Sequence, residues 1–163
     1  MQPSSLRLET YHYTKIVVVP RPDAQIAPVG QYVDFNNVEF GSEVTIGEIE
    51  NPDGLNSHKT ILLELKASPS GNSKFPYDID IGAIGVFDMS GLPAEKQEVL
   101  LLVNGSSMLY SALREALLTM TFRCTYGPVM LPSVHFVQLE KQYTENQAAK
   151  AGAMLSAPSD TTP

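Results

Sequence analysis

NGSSMLYSALREALLTMTFR, residues 104–123, carries more apolar surface than one neighbour can cover. Turned as a helix, it brings Leu109, Leu113, Ala116, Leu117 and Met120 onto a single stripe. The far side ought to be charged, yet it holds Met108, Ala112, Leu118 and Phe122, with Glu115 its only acid and Arg114 between the stripes. Burying a large apolar side chain is worth about 2 kcal/mol, so leaving a second stripe in water is costly, and something else is expected to cover it. Gly105 breaks the preceding apolar run, and Ser106 or Ser107 is expected to cap the first turn. Tyr126-Gly127-Pro128 is the stop.

Outward from this helix, the 163 residues suit one domain, expected over 1–150, with a tail at 151–163 whose Ala, Ser, Pro and Thr are those of a disordered end. A formal net charge of −7 leaves little that is basic to neutralise phosphates, which argues against nucleic acid. Cys124 is the only cysteine, so no internal disulfide forms and a reducing compartment is expected. No apolar run approaches the ~18 residues of a membrane span. The N-terminal residues lack a charged leader with an apolar stretch behind it. The expectation is a cytoplasmic protein that inserts into no membrane.

Upstream, alternation predicts four strands, at 6–19, 38–49, 58–68 and 74–89. In the first, Leu6, Leu8, Ile16 and Val18 point one way, and Arg7, Glu9, Tyr11, Tyr13, Lys15, Val17 and Val19 the other. The later strands put Val38, Phe40, Val44, Ile46, then Ile61, Leu63, Leu65, Ala67, then Phe75, Tyr77, Ile79, Ile81 on one face. Gly82 and Gly85 predict a bulge or a close backbone approach. Residues 21–37 form a long loop that is rich in proline but also apolar, with Ile26, Val29, Tyr32, Val33 and Phe35. A second, C-terminal helix is expected at about 135–149. Strands followed by helices give an α+β fold, an antiparallel sheet of four strands packed on one long helix.

Catalytic patterns are weak. His12, His58 and His135 stand in different elements without the close ligand spacing of a zinc site, so no metal or cofactor is expected. Asn104-Gly105-Ser106-Ser107 lacks the second glycine of a nucleophile elbow. Asp78 and Asp80 make an i, i+2 carboxylate pair, read as solvated charge on an outward face, and Cys124 beside Arg123 reads as packing. The sequence does not read as an enzyme.

The order of these pieces resembles the SecB family of export chaperones. The resemblance rests on Tyr13-Thr14-Lys15, Ile61-Leu62-Leu63-Glu64-Leu65-Lys66-Ala67-Ser68 and Asp78-Ile79-Asp80-Ile81-Gly82-Ala83-Ile84. It continues through Leu109-Tyr110-Ser111-Ala112-Leu113-Arg114-Glu115 and Leu131-Pro132-Ser133-Val134-His135-Phe136. It implies a homotetramer built as a dimer of dimers, with first strands paired and long helices sandwiched between sheets. Leu109, Leu113, Leu117, Leu118 and Phe122 would then supply the interface. It also implies an ATP-independent holdase with unfolded polypeptide clients in a groove lined by Ile26, Val29, Tyr32, Val33, Phe35, Met130, Leu131, Phe136 and Tyr143. Family members dock the SecA motor on acidic sheet residues. Asp78 matches one such position, whereas Ile16 and Pro20 stand at others, and tryptophan is absent. Some relatives instead guard an antitoxin. Two other readings compete: an assembly protein whose apolar loop has one fixed partner, and a small-ligand binder or enzyme using a cavity between sheet and helix with Asp78 and Asp80 as its polar groups.

Overall fold

The computed structural model describes residues 4–24, 33–49, 57–139 and 141. Strands β1 (Arg7–Pro20), β2 (Val38–Glu48), β3 (His58–Pro69) and β4 (Tyr77–Asp88) form one antiparallel sheet in the order β1-β4-β3-β2. Helix α1 (Ala94–Leu100) runs through a π-helical turn, Leu101–Gly105, into α2 (Ser106–Thr121). Helical backbone returns at 137–139 and 141. This is the α+β fold expected, with a long helix and a short C-terminal one. The order also explains the long 21–37 connection. It joins the two edge strands, three strand spacings or roughly 14 Å apart. The expected tail at 151–163 and the loop residues Ile26, Val29 and Tyr32 lie outside the described residues.

The core lies between the central strands and α2. Ile61, Leu63, Leu65 and Ala67 of β3 and Tyr77, Ile79, Ile81, Ala83 and Phe87 of β4 are buried on the helix side, as their alternation requires. Leu109, Leu113 and Leu117 of α2, at 0%, 0% and 1% exposure, close over them. The opposite face of the sheet is mixed: Leu62, Ile84, Val86, Val17 and Val19 share it with charged groups. Lys15 pairs with Asp80 at 2.7 Å and approaches Glu64 at 4.0 Å, and Asp78 is exposed.

Three expectations are corrected. Strict alternation fails in β1, where the register shifts between Leu8 and Thr10 and again between Tyr13 and Lys15. Each bulge adds a residue to the strand. Tyr11 and Tyr13 therefore pair with Gly85 and Ala83 and join Leu8, Ile16 and Val18 on the helix side, rather than the opposite face. The long helix has no break at Gly105 and no serine cap. Gly105 is helical (φ −62°), and the turn before α2 continues α1 without a side-chain cap bond. Gly105 instead permits contact, since a Cβ there would sit 2.8 Å from Ile61 Cδ1 and 3.3 Å from the Phe87 ring. Third, Met120 is exposed, because the buried face of α2 runs through Ser106, Leu109, Tyr110, Leu113, Leu117 and Thr121.

Gly85 does the same from the sheet. A Cβ on it would lie 2.9 Å from Leu109 Cδ2 and 3.0 Å from Leu8 Cδ1. The close approach predicted at Gly85 is there, while the bulges sit across the ladder in β1.

Gly105→Val should destabilise the fold by about 1–3 kcal/mol through overpacking, more than the few tenths that its better helix propensity returns. A lower urea midpoint with an unchanged slope is the expected result.

Candidate functional site

After α2 the chain turns back under the control of one side chain. Thr121 Oγ1 donates to Leu117 O at 2.7 Å and accepts from Val129 N–H at 2.8 Å, both buried. Gly127, at φ +84°, makes the turn between them. Tyr77 donates its hydroxyl to Gly127 O at 3.0 Å, and burial pushes its pKa up to about 12. The segment that follows is thereby fixed in extended form, with Val129 and Leu131 buried. Tyr110 donates to Pro132 O, and burial raises its pKa as well. The Tyr110 and Phe136 rings meet edge to face, 5.7 Å apart.

Between this returning segment and the β2 edge lies an apolar groove. Phe40, Leu65, Ile79, Tyr110, Leu131 and Phe136 line it, with Pro132 and Val134 along its rim. Its cavity volume is about 180 Å³. Small-molecule and cofactor pockets usually span roughly 300–1,000 Å³, so the groove holds one or two apolar side chains of a longer chain better than a cofactor. Among the described residues, Lys66 is the one charged residue along it. Asp78 and Asp80 flank Ile79 in β4 and so belong to the other face of the sheet. That separation removes the basis for a ligand site built on the two acids.

The expected client residues divide. Leu131 and Phe136 are in the groove. Phe35 stands behind it, 5.6 Å from the Phe40 ring and 5.1 Å from Phe75, and Val33 packs on the core. Met130 departs from the expectation. It faces a shallow depression with Ser111, Arg114, Glu115 and Leu118, because alternation along the extended segment turns it away from Leu131. Ile26, Val29, Tyr32 and Tyr143 lie outside the described residues. Phe40, Tyr110 and Val134 were missed. For Phe40 a signal existed, an aromatic on the inward face of a strand next to the apolar loop. None existed for Tyr110, which the stripe reading passed over.

Of the five residues expected at an interface, Leu109, Leu113 and Leu117 are taken up by the chain's own sheet. A second surface is left on α2, with Ala112 and Leu118 half-buried and Phe122 at 70% exposure. Tyr11, Tyr13 and Ile16 of the β1 edge stand exposed on the same side of the sheet. Partial burial holds the Tyr13 hydroxyl above its ordinary pKa, with Tyr11 and, last, the Glu115 charge adding to the shift.

A family model described as "Preprotein translocase subunit SecB" matches residues 42–148, well over half of the sequence. The chain belongs to the SecB family. Among curated relatives, the protein-export protein SecB of a Bradyrhizobium species is 28% identical over 145 residues, 88% of this chain and 85% of that one. SecB of Rhodopseudomonas palustris is 28% identical over 143 residues, 86% and 82% of the two chains. A solved SecB-like chaperone of Mycobacterium tuberculosis, in complex with an antitoxin peptide, is similar at a TM-score of 0.49 and 12% identity. That likeness covers 79% of this chain and 90% of the other. The matched region begins in β2 and takes in the groove from Leu65 to Phe136.

Thr121→Val keeps the shape but removes the acceptor for the buried Val129 N–H. The unpaired donor should cost about 1–3 kcal/mol, read as a lower urea midpoint, with hydrogen exchange accelerating first at residues 129–136.

Proposed function

We propose that this SecB-family chain is an ATP-independent holdase chaperone serving protein export, and not an enzyme. The apolar groove between β2 and residues 131–136 carries this reading. Its floor is aromatic and aliphatic, its capacity suits individual side chains, and its rim is open. An apolar surface without fixed polar contacts binds many sequences in preference to one. The formal charge of −7 favours encounter with basic unfolded chains.

The second face of α2 and the β1 edge support a homotetramer, a dimer of dimers, in which copies cover the surface around Leu118, Phe122, Tyr11 and Tyr13. Assembly through these faces leaves the groove beside β2, at the sheet edge opposite β1, available to clients. Contact with SecA would rest on Asp78, exposed on the face of the sheet opposite the helix, with no acid at Ile16 or Pro20 to support it. The described helices include none long and apolar enough to cross a membrane, in keeping with a cytoplasmic role.

Phe40 and Val134 line the groove at 48% and 43% exposure, so both tolerate charge without unfolding the core. Without nucleotide, the wild type should keep several unrelated proteins soluble when they are diluted from denaturant. Phe40→Asp with Val134→Asp should bind those clients about tenfold more weakly, or worse, since burying an unpaired carboxylate costs well over the 1.4 kcal/mol that a tenfold change represents. Helicity and particle mass should stay unchanged. Protection of one protein alone would point to a chaperone dedicated to one partner, such as an antitoxin, and unchanged capture by the variant would move the client site elsewhere.

A further inference from the structure

We propose that Glu9, His58 and Asp88 bind one Zn²⁺ ion at the end of the sheet, tying β1, β4 and β3 together. Spacing along the sequence gave no hint of this site, because the three residues are far apart in the chain. The fold brings them together: His58 opens β3 opposite Asp88, which closes β4, and Glu9 is the bulged residue of β1 that has no ladder partner. One ligand atom from each lies within 4.8 Å of the others, and His58 Nε2 is 3.4 Å from Glu9 Oε2.

A second feature separates this trio from a chance meeting of charges. Two of the donors are already aimed from behind, as outer-sphere partners aim metal ligands. Ser57 Oγ stands 3.0 Å from His58 Nδ1, which fixes the ring with Nε2 toward Glu9. The Ser90 N–H holds Asp88 Oδ1 at 2.8 Å, and Oδ2 is the oxygen that Arg7 now occupies. Asp88 is 4% exposed, so its carboxylate stands at the buried end of the trio.

One nitrogen and two oxygens form the mixed donor set that suits Zn²⁺ better than Mg²⁺ or Ca²⁺, which prefer oxygen alone. Two carboxylates balance the charge of the ion, and water completes a tetrahedron. Arg7 now pairs with Asp88 Oδ2 and is the competitor. Its side chain is mostly exposed, so it can swing into solvent at little cost. Arg7 and Zn²⁺ are therefore alternative partners of one oxygen. The site lies on the face of the sheet opposite the groove, so it does not depend on the chaperone reading.

The test is calorimetric titration of the chelator-treated full chain with ZnCl₂. One Zn²⁺ per chain is expected, weakened about tenfold or more by Glu9→Gln and by His58→Gln. Arg7→Gln should tighten binding several-fold, an effect that adventitious surface histidines cannot produce. His12→Gln and His135→Gln should leave binding as it is. The circular dichroism of each variant in chelator should match the wild type, and Zn²⁺ should raise the melting temperature of the wild type but not of His58→Gln. An absence of saturable binding at millimolar Zn²⁺, or binding indifferent to His58→Gln or Arg7→Gln, would overturn the site.

Discussion

The fold depends on how closely α2 approaches the middle of the sheet. Two glycines, Gly105 on the helical side and Gly85 in β4, let Ile61 and Leu109 reach across into space that a Cβ would occupy. The approach is tight enough to bury one face of α2 completely. It also commits that face, while Phe122 on the remaining apolar surface of the helix stays 70% exposed. The same contact leaves both edge strands only partly covered: β1 keeps Tyr11, Tyr13 and Ile16 exposed, and β2 keeps Phe40.

Two apolar surfaces follow, separated by the core. One lies along β1 and the second face of α2; the other is the groove between β2 and the returning segment. Thr121, Tyr77 and Tyr110 set the path of that segment by hydrogen bonds, so its position does not rest on apolar packing alone. A fixed groove of small volume is a suitable receiver for single side chains of an extended polypeptide. The outer face of the sheet carries ion pairs around Lys15 beside the exposed Val17 and Val19.

Much of this was legible because period-two patterns survive where a strand is regular. The faces of β2, β3 and β4 came directly from alternation, and Leu131 and Phe136 line the groove. β1 was misread because its two bulges reverse the phase between Leu8 and Ile16, and a bulge leaves no mark in the order of side chains. Gly105 was read as a break when its role is to admit Ile61, a distinction that only the partner across the interface reveals. Tyr110 and Thr121 looked like ordinary helix residues, yet each holds a bond to residues 129–132 that sequence distance conceals. The meeting of Glu9, His58 and Asp88 was hidden for the same reason.

The central claim is that α2 must share its second face with other copies of the chain. Sedimentation of the full chain at micromolar concentration tests this most directly. The account predicts a particle of about four times the 17.8 kDa chain mass, falling apart when Leu118→Asp and Phe122→Asp place charge on that face while leaving the core intact. A folded wild-type particle that sediments as a single 17.8 kDa chain would contradict it.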